Sequence, residues 1–522
     1  MTIGKHSEAS SLHDRLSPRR VTLVVAAAAF ILLASVVIHL VVDATTHDAP
    51  WTNNDNALFL FVAQEMDHGA RLYVDWREPA MPSAFLTALT AVRLSGTRFS
   101  PVLGLDFLLL ATGVLGLIVL VHSLRHLKRP PPVILLAAAA YLFFVVKPGA
   151  ITRDVAQREH FFALLLIPEL FAIVSPARMP WRPVWLAALA FQGMNKPQLA
   201  AAVFLLEATA PRQSRSFADV IGLIAGVLAP FVMLWWQSAE AFEGFFTENL
   251  QLHLSGAYAA MNVSPRVLLA RGPLLIGATA VAALVATAVA TRENRELRRL
   301  SIRVSLAVVW GAATVLHQQK YFPYHFVPLF GISVVGGAWA AGEWLSSRNR
   351  TLAVTALAAI LLVVGAVAIH SDIARSNADP LALRLGQAID GGDPEKVFVA
   401  SVYSHGICTP YRGAPRCVWP EALSPRLTLI AGANDGGRQL EEWAAERSAW
   451  IREARPDVLL LSTSDRALPP GVTPARILLE RHPAIEPGEY VPLSPGMQAW
   501  VDARGWIVLR RSDVPEAALQ GR

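Results

Sequence analysis

Long apolar runs separated by short basic loops limit most strictly what this chain can fold into. Hydrophobic residues make up 53% of its 522 residues and charged residues only 16%, with a mean hydropathy of +0.40, which exceeds the range of soluble enzymes. Because a helix needs about 20 apolar residues to cross a bilayer, the pattern predicts a polytopic α-helical membrane protein with about 11–12 transmembrane helices. The predicted spans are 21–42, 101–121, 131–147, 161–176, 183–194, 198–210, 217–237, 266–290, 301–317, 326–345 and 351–370.

Several of these spans are shorter than a straight crossing needs, notably 183–194 and 198–210. Short, tilted or broken helices usually line a cavity. The run 81–95 is also apolar but short. Its placement stays open, because letting it cross would invert every later loop against the positive-inside rule.

Basic residues cluster between the apolar runs and not along one face of the chain. The formal net charge is +6, but this distribution indicates membrane topology and no nucleic-acid partner. Arg15, Arg19 and Arg20 precede the first span, which predicts a disordered cytoplasmic N-terminus over 1–20 and an external loop over 44–80. The first span lacks a small-residue cleavage site, so it is expected to remain as an anchor. Abundant Ala and Arg are typical of a high-GC bacterium, and the predicted location is the bacterial inner membrane.

The composition changes after residue 370, where a predicted transmembrane module over 21–370 ends. Charged residues and short strand-like runs predict a soluble α/β domain over 371–522, outside the cytoplasm by the same topology. The strand-like runs are 396–401, 457–462 and 505–510. Cys408 and Cys417 both lie in this domain, and a disulfide between them is plausible in an oxidising compartment.

Charged residues that are candidates for chemistry gather on the loops that this topology places outside. Charges at a membrane boundary are costly to bury and tend to be functional. Each also has an ordinary interpretation, as a helix N-cap for Asp55, a solvated or paired loop acid, or a cation that snorkels to the interface. The candidates are Asp55, Asp75 and Glu78 in the first loop, and Arg153, Arg158, Glu159, Lys196, Lys320 and His325 in later loops.

The first external loop carries a recognisable pattern. It reads D-N-A-L-F-L-F-V-A-Q from Asp55, followed by H-G-A-R-L-Y-V-D-W-R-E-P-A-M-P over 68–82. This loop resembles the first external loop of GT-C glycosyltransferases, in the bacterial branch related to protein O-mannosyltransferases and aminoarabinose transferases. The positions that match the family pattern are Asp55, Gly69, Leu72, Tyr73, Asp75 and Pro82. One departure is that many relatives carry Lys or His where this chain has Ala80 or Met81.

The resemblance implies a reaction as well as a fold. Enzymes of this type move a monosaccharide from a polyprenyl-phosphate donor to an acceptor hydroxyl outside the cytoplasm, with inversion at the anomeric carbon. The acceptor alcohol needs a carboxylate as general base, and the leaving phosphate needs positive charge. On this interpretation Asp55 is the base, with Asp75 and Glu78 as further catalytic candidates, and the later charged loops bind the donor phosphate or substrate. The acceptor can be a lipid, a glycan or a protein, and a divalent cation near the acids is possible.

Two other functions fit part of the pattern. A transporter or flippase for lipid-linked glycans would also place charges between broken helices, but it would favour an internal repeat and charges at mid-membrane. A ligase that moves whole glycan chains would use similar external Arg and His residues. The early loop with Asp55 and its Leu-Tyr-x-Asp motif favours the monosaccharide transferase.

Overall fold

The computed structural model describes the membrane module in several stretches and the C-terminal region in short ones. The described residues are 54–75, 80–96, 99, 101–146, 156–175, 179–208, 216–250, 264–269, 272–319, 323–348, 397–400, 436–463, 473–481, 485–492 and 506–513. The predicted spans 21–42 and 351–370 and the predicted disulfide of Cys408 with Cys417 lie outside these residues.

The described elements are mostly α-helices, with one small sheet near the C-terminus. The helices are α1 (Asn54–Asp67), α2 (Pro82–Ser95), α3 (Pro101–His126), α4 (Pro131–Val146), α5 (Arg158–Ala172), α6 (Arg182–Gly193), α7 (Pro197–Ala208), α8 (Phe217–Gln237), α9 (Ala239–Gly244), α10 (Pro265–Leu269), α11 (Gly272–Ala290), α12 (Arg295–Gln318), α13 (Val327–Arg348), α14 (Gly436–Ala454) and α15 (Pro474–Arg476). A π-helical turn over Phe245–Asn249, called the π-turn below, follows α9. Shorter pieces are a 3₁₀ turn over Pro323–Phe326, a second π-helical turn over Ile477–Arg481, and strands β1 (Val397–Ala400), β2 (Val458–Ser462), β3 (Tyr490–Pro492) and β4 (Trp506–Arg511).

The helices follow the apolar runs closely, because a bilayer requires every backbone group to be paired within its own segment. Proline is the first residue of α2, α3, α4 and α7, a position where its missing N–H has no intrahelical partner to lose. Among the described residues, four helices are long and apolar enough to cross a membrane: Pro101–His126, Phe217–Gln237, Arg295–Gln318 and Tyr324–Trp344. The prediction of a polytopic helical membrane protein is confirmed, while the number of crossings stays a prediction.

The chain forms two compact units. The first comprises Met1–Thr45, Leu108–Val227 and Val263–Ala378, and the second comprises Thr46–Phe107, Leu228–Asn262 and Asp379–Arg522. In the first unit, α13 packs against α4, α5, α11 and α12. Its glycines permit close approach, since a Cβ at Gly331 would lie 2.5 Å from the Phe144 ring, and one at Gly336 would lie 2.5 Å from Val304. Small residues at helix contacts are the usual way for membrane helices to pack.

Helices α6 and α7 form a short hairpin in the first unit. Each has 12 residues and is therefore about 18 Å long, well short of a bilayer core. Arg182 at the start of α6 binds Glu207 at the end of α7, which shows that the two helices run antiparallel. The turn between them carries Lys196 at the opposite end of the hairpin. The two short apolar runs of the sequence thus form two separate short helices, which join at a tight turn.

In the second unit, α1 and α2 run parallel. Phe59 on α1 packs edge-on against Phe85 on α2 at 5.2 Å, and at the other end the Nε of Arg93 donates to Asp67 at 2.9 Å. Two consecutive helices can lie parallel only if their connection returns along their length. Residues 68–81, called the return loop below, make this connection.

The apolar run LFLFVA over 58–63 is too short to span a bilayer and apolar enough to lie on its surface, but the prediction from the sequence that it does so is wrong. All six side chains over 58–63 are buried by protein, with exposures between 0% and 7%. A helix that rests in the interface would leave one apolar face open to lipid. Here α2 covers α1, so the run is a buried core element of the second unit.

The C-terminal sheet confirms the three predicted strand runs and adds the short β3. Its strand order is β1-β2-β4-β3, with β1 and β2 parallel and the other pairs antiparallel. The helix α14 lies between the two parallel strands in the chain, as a parallel connection requires. The apolar residues of β2 are buried at both faces, at 0–1% exposure, as expected for an interior strand.

Candidate active site

Arg71 and Asp75 close a turn inside the return loop. The backbone N–H of Arg71 donates to Asp75 Oδ2 at 2.7 Å, and its guanidinium donates to both carboxylate oxygens at 3.1 and 3.2 Å. The hydrogen bond from Arg71 holds the pKa of the Asp75 carboxyl below its ordinary range. Arg71 also forms an ion pair with Glu240 on α9. The structure therefore gives Asp75 a part in shaping the loop.

Tyr73 is the most constrained residue of the return loop. It is 3% exposed, and its backbone has a φ of +66°, which side chains with a Cβ rarely adopt. Its hydroxyl donates to the carbonyl of Ala80 at 2.5 Å, and its ring packs on Phe245 at 5.4 Å. A Cβ at Gly244 would lie 2.7 Å from the Tyr73 carbonyl oxygen, so only glycine fits there.

Residues 237–249 form hydrogen bonds to the return loop near both of its ends. Gln237 donates to the carbonyl of Ala70 at 3.0 Å and accepts from the backbone N–H of Leu72 at 3.4 Å. Asn249 donates to the carbonyl of Ala80 at 3.2 Å. The contacts of Arg71 and Tyr73 lie between these two points. The loop that carries the family pattern is therefore fixed by residues about 170 positions later in the chain.

Asp55 lies in the first turn of α1 and is half-buried. A carboxylate is favoured there by the helix dipole, whether or not it caps the helix. Because α1 and α2 run parallel, Asp55 lies at the same end of this helix pair as Pro82, where the return loop enters α2. Asp55, at the start of the family pattern, and Pro82, at its end, thus lie at the same end of the helix pair.

In the first unit, three predicted site residues meet. Glu159 is 2% exposed and forms an ion pair with Lys196, and the Nε of Arg158 lies 3.7 Å from its Oε1. The Lys196 ammonium also lies 5.1 Å from the centre of the Tyr324 ring, which contacts His325 edge-on at 4.7 Å. The structure thus brings Arg158, Glu159 and Lys196 together, while their role in binding donor or substrate stays a prediction. His325 thus contacts Tyr324, the residue whose ring lies beside Lys196.

His160, next to Glu159, has a structural role. Its Nδ1 accepts from the backbone N–H of Ala156 at 3.3 Å, so the proton is on Nε2, which donates to the carbonyl of Phe144 at 3.1 Å. Both ring nitrogens are used by a neutral imidazole, with no exposure to solvent. It ties the start of α5 to the end of α4.

A second charge cluster in the first unit escaped the sequence analysis. Arg182, which is 3% exposed, donates to Glu169 at 2.6 Å, to Glu207 at 2.8 Å and to Asp219 at 2.9 Å. In the sequence, the basic stretch at 178–182 lies between two apolar runs and indicates only membrane topology. Lone acids inside or at the ends of apolar runs are the signal that predicts such partners. The cluster joins the ends of α5, α6, α7 and α8.

Other predicted site residues are not placed. Glu78, Arg153 and Lys320 lie outside the described residues. Within the described part of the chain, no group of three or more His, Cys, Asp or Glu side chains is arranged to hold a metal ion.

Comparison with known proteins gives the fold. No protein-family model matches the chain, and no curated protein matches it. Among solved structures, the chain is similar to ArnT from Cupriavidus metallidurans bound to undecaprenyl phosphate, with a TM-score of 0.53, 13% identity, and coverage of 92% of this chain and 97% of that one. The chain therefore shares the fold of that structure over nearly its whole length.

Proposed function

We propose that this protein is an integral membrane glycosyltransferase that moves a monosaccharide from a polyprenyl-phosphate donor to an acceptor hydroxyl on the extracytoplasmic face, with inversion. The observation that carries the proposal is the fold similarity to ArnT, which runs over nearly the whole of both chains. That neighbour is bound to undecaprenyl phosphate, a lipid of the class that would leave in this reaction. The proposed acceptor is a lipid, a glycan or a protein of the cell envelope.

Asp55 is the proposed general base. An alcohol attacks an anomeric carbon only as its proton is removed, and a carboxylate can accept that proton. Asp55 is half-buried and sits where the helix dipole favours the charged form. The Arg71 pairing gives Asp75 a positioning role, since its carboxylate is already engaged. Glu78 remains a proposed second carboxylate of the same loop.

The pair of Lys196 and Arg158 is the proposed phosphate-binding element. Lys196 and Arg158 both lie beside the carboxylate of Glu159, and their side chains are each 14% exposed. Charges in such a setting interact more strongly than in water, which favours binding of a phosphate. Arg153, Lys320 and His325 are further proposed contacts to donor or acceptor.

The test of the proposed function is a transfer assay. Purified wild type, Asp55→Asn and a control, Asp67→Asn at the exposed end of the same helix, receive radiolabelled polyprenyl-phosphate sugars and an envelope extract. General-base catalysis contributes ~10²–10⁴-fold, so Asp55→Asn should lower transfer at least ~100-fold, while Asp67→Asn transfers like wild type. Normal turnover by Asp55→Asn would contradict its role. Wild type that binds the lipid without releasing polyprenyl phosphate would favour a transporter.

The role of Lys196 needs a cycle of variants, because its removal also leaves Glu159 unpaired. We expect Lys196→Ala to weaken donor binding more than acceptor binding, and the double variant Lys196→Ala with Glu159→Gln to stay weak. If Lys196 serves only to neutralise Glu159, the double variant regains the donor KM of Glu159→Gln alone, and the phosphate role is excluded.

A further inference from the structure

A buried hydrogen-bond acceptor without a donor lies at the end of the return loop. Asn249, the last residue of the π-turn, is 4% exposed. Its Nδ2 donates to the carbonyl of Ala80 at 3.2 Å. Its Oδ1 is buried and has no hydrogen-bond partner in the part of the chain that the structure describes. Buried side-chain oxygens are nearly always paired, so this atom calls for an explanation.

The orientation of the amide is set by its neighbours. The Ala80 carbonyl accepts from the Tyr73 hydroxyl at 2.5 Å and from Asn249 Nδ2 at 3.2 Å. A flipped amide would place Oδ1 against the Ala80 oxygen, and two acceptors repel each other. The amide nitrogen therefore faces the loop, and Oδ1 is the atom left to meet another molecule.

The surroundings of Asn249 have the marks of a functional site. A π-helical turn is rare and recurs at such sites, and Asn249 occupies one. Tyr73, which shares the Ala80 carbonyl, holds a strained backbone conformation. Ala80 is two residues before Pro82, at the end of the helix pair where α1 begins with Asn54 and Asp55. The unpaired oxygen thus lies beside the end of the return loop, at the end of the helix pair where the proposed base lies.

We propose that Asn249 Oδ1 accepts a hydrogen bond from a hydroxyl group of the sugar being transferred. This inference rests on the proposed glycosyl transfer and adds a residue that selects the sugar. An amide oxygen offers nothing to an ionised phosphate, which has no proton to donate, so the phosphate is excluded as its partner. A buried acceptor that needs a hydroxyl discriminates strongly against an analogue without one.

The experiment compares two variants that each remove one hydrogen bond to the Ala80 carbonyl. Asn249→Ala also removes the unpaired acceptor, whereas Tyr73→Phe does not. The probes are the polyprenyl-phosphate sugar that wild type transfers and its monodeoxy analogues. Wild type should lose roughly 5- to 150-fold in kcat/KM with one analogue. With the parent sugar, the kcat/KM of Asn249→Ala should be lower than that of wild type by a similar factor, and this variant should lose no more on going to that analogue. Tyr73→Phe should keep the ratio of kcat/KM between parent sugar and analogue that wild type has.

Two results of the comparison with the analogues would overturn the role of Asn249 without affecting the proposed function. In one, Asn249→Ala discriminates among the analogues as wild type does. In the other, wild type does not discriminate against any analogue. Binding measurements with the sugar lipid and with bare polyprenyl phosphate show whether such a result excludes only the role of Asn249 or also the proposed glycosyl transfer. If wild type binds neither lipid, the proposed function itself is excluded. If Asn249→Ala prefers the sugar lipid over bare polyprenyl phosphate by the same factor as wild type, only the role of Asn249 is excluded.

Discussion

Replacing Arg182 by methionine should strongly destabilise the first unit. The guanidinium is the common partner of Glu169, Glu207 and Asp219, at 2.6–2.9 Å, and all four side chains are at most 9% exposed. Methionine fills a similar volume but leaves three buried carboxylates without their cation. Breaking a buried ion pair by removing one partner costs about 3–5 kcal/mol.

A second route gives a similar magnitude for this loss. A carboxylate can avoid an unpaired charge by staying protonated in the folded protein, and relative to an unfolded chain in which glutamate ionises with a pKa of about 4.3 this costs about 4 kcal/mol at pH 7. Whether the carboxylates stay charged or take up a proton, the free energy of unfolding therefore falls by several kcal/mol. We expect the midpoint of thermal inactivation to fall by roughly 5–10 °C.

The assay is the fraction of protein that stays monodisperse in size-exclusion chromatography after heating in detergent. Arg93→Met is the matched control, because Arg93 is 63% exposed and its pair with Asp67 is worth about 0–1 kcal/mol. In the background of Arg182→Met, the further change Glu169→Gln should recover part of the loss, since it removes one unpaired charge. An Arg182→Met midpoint within about 2 °C of wild type would refute the reasoning.

Three more predictions follow from the loop and the C-terminal region. Gly244→Ala should lower transfer at least about tenfold by pushing the tyrosine carbonyl away, whereas Gly337→Ala, whose nearest neighbour is 3.9 Å from the new Cβ, should be neutral; equal activities would contradict the close approach. The pair of Asp75 with its arginine stabilises fully above the ordinary aspartate pKa of about 3.9, and this is lost as pH falls through the lowered folded pKa. The stability gap between wild type and Asp75→Asn should therefore be small, constant from pH 5 to 8, and vanish in acid; a gap that changes between pH 5 and 8 would exclude this. A thiol assay on unreduced protein should detect neither Cys408 nor Cys417, and two reactive thiols would exclude the predicted bridge.

The sequence predicted the helices well and their partners poorly. The predicted span 217–237 coincides with α8, and 131–147 differs from α4 by one residue. Such runs are local, and the bilayer leaves few alternatives to a helix. The burial of 58–63 was missed because an apolar helix of this length reads alike whether lipid or protein covers it.

The proximity of some candidate residues could be predicted from the sequence, while their roles stay predictions. Arg158, Glu159 and Lys196 were singled out because lone charges beside apolar runs are costly, and they do meet. Asn249 and Gln237 were missed, since neutral amides give no such signal and their partners are about 170 residues away. Residue type shows which side chains are costly to bury, but it does not show which distant carbonyl an amide side chain will donate to.

The geometry of the return loop explains what its motif is for. Helix α1 is about 21 Å long, whereas the 14 residues over 68–81 would reach more than about 45 Å if extended. The excess length must be folded into turns. Leu72 is fully buried, Tyr73 takes the left-handed backbone, and Asp75 closes the turn with Arg71. The Leu-Tyr-x-Asp residues thus shape the loop, and we therefore expect Asp55, on the first turn of α1, and not Asp75 to be the proposed base.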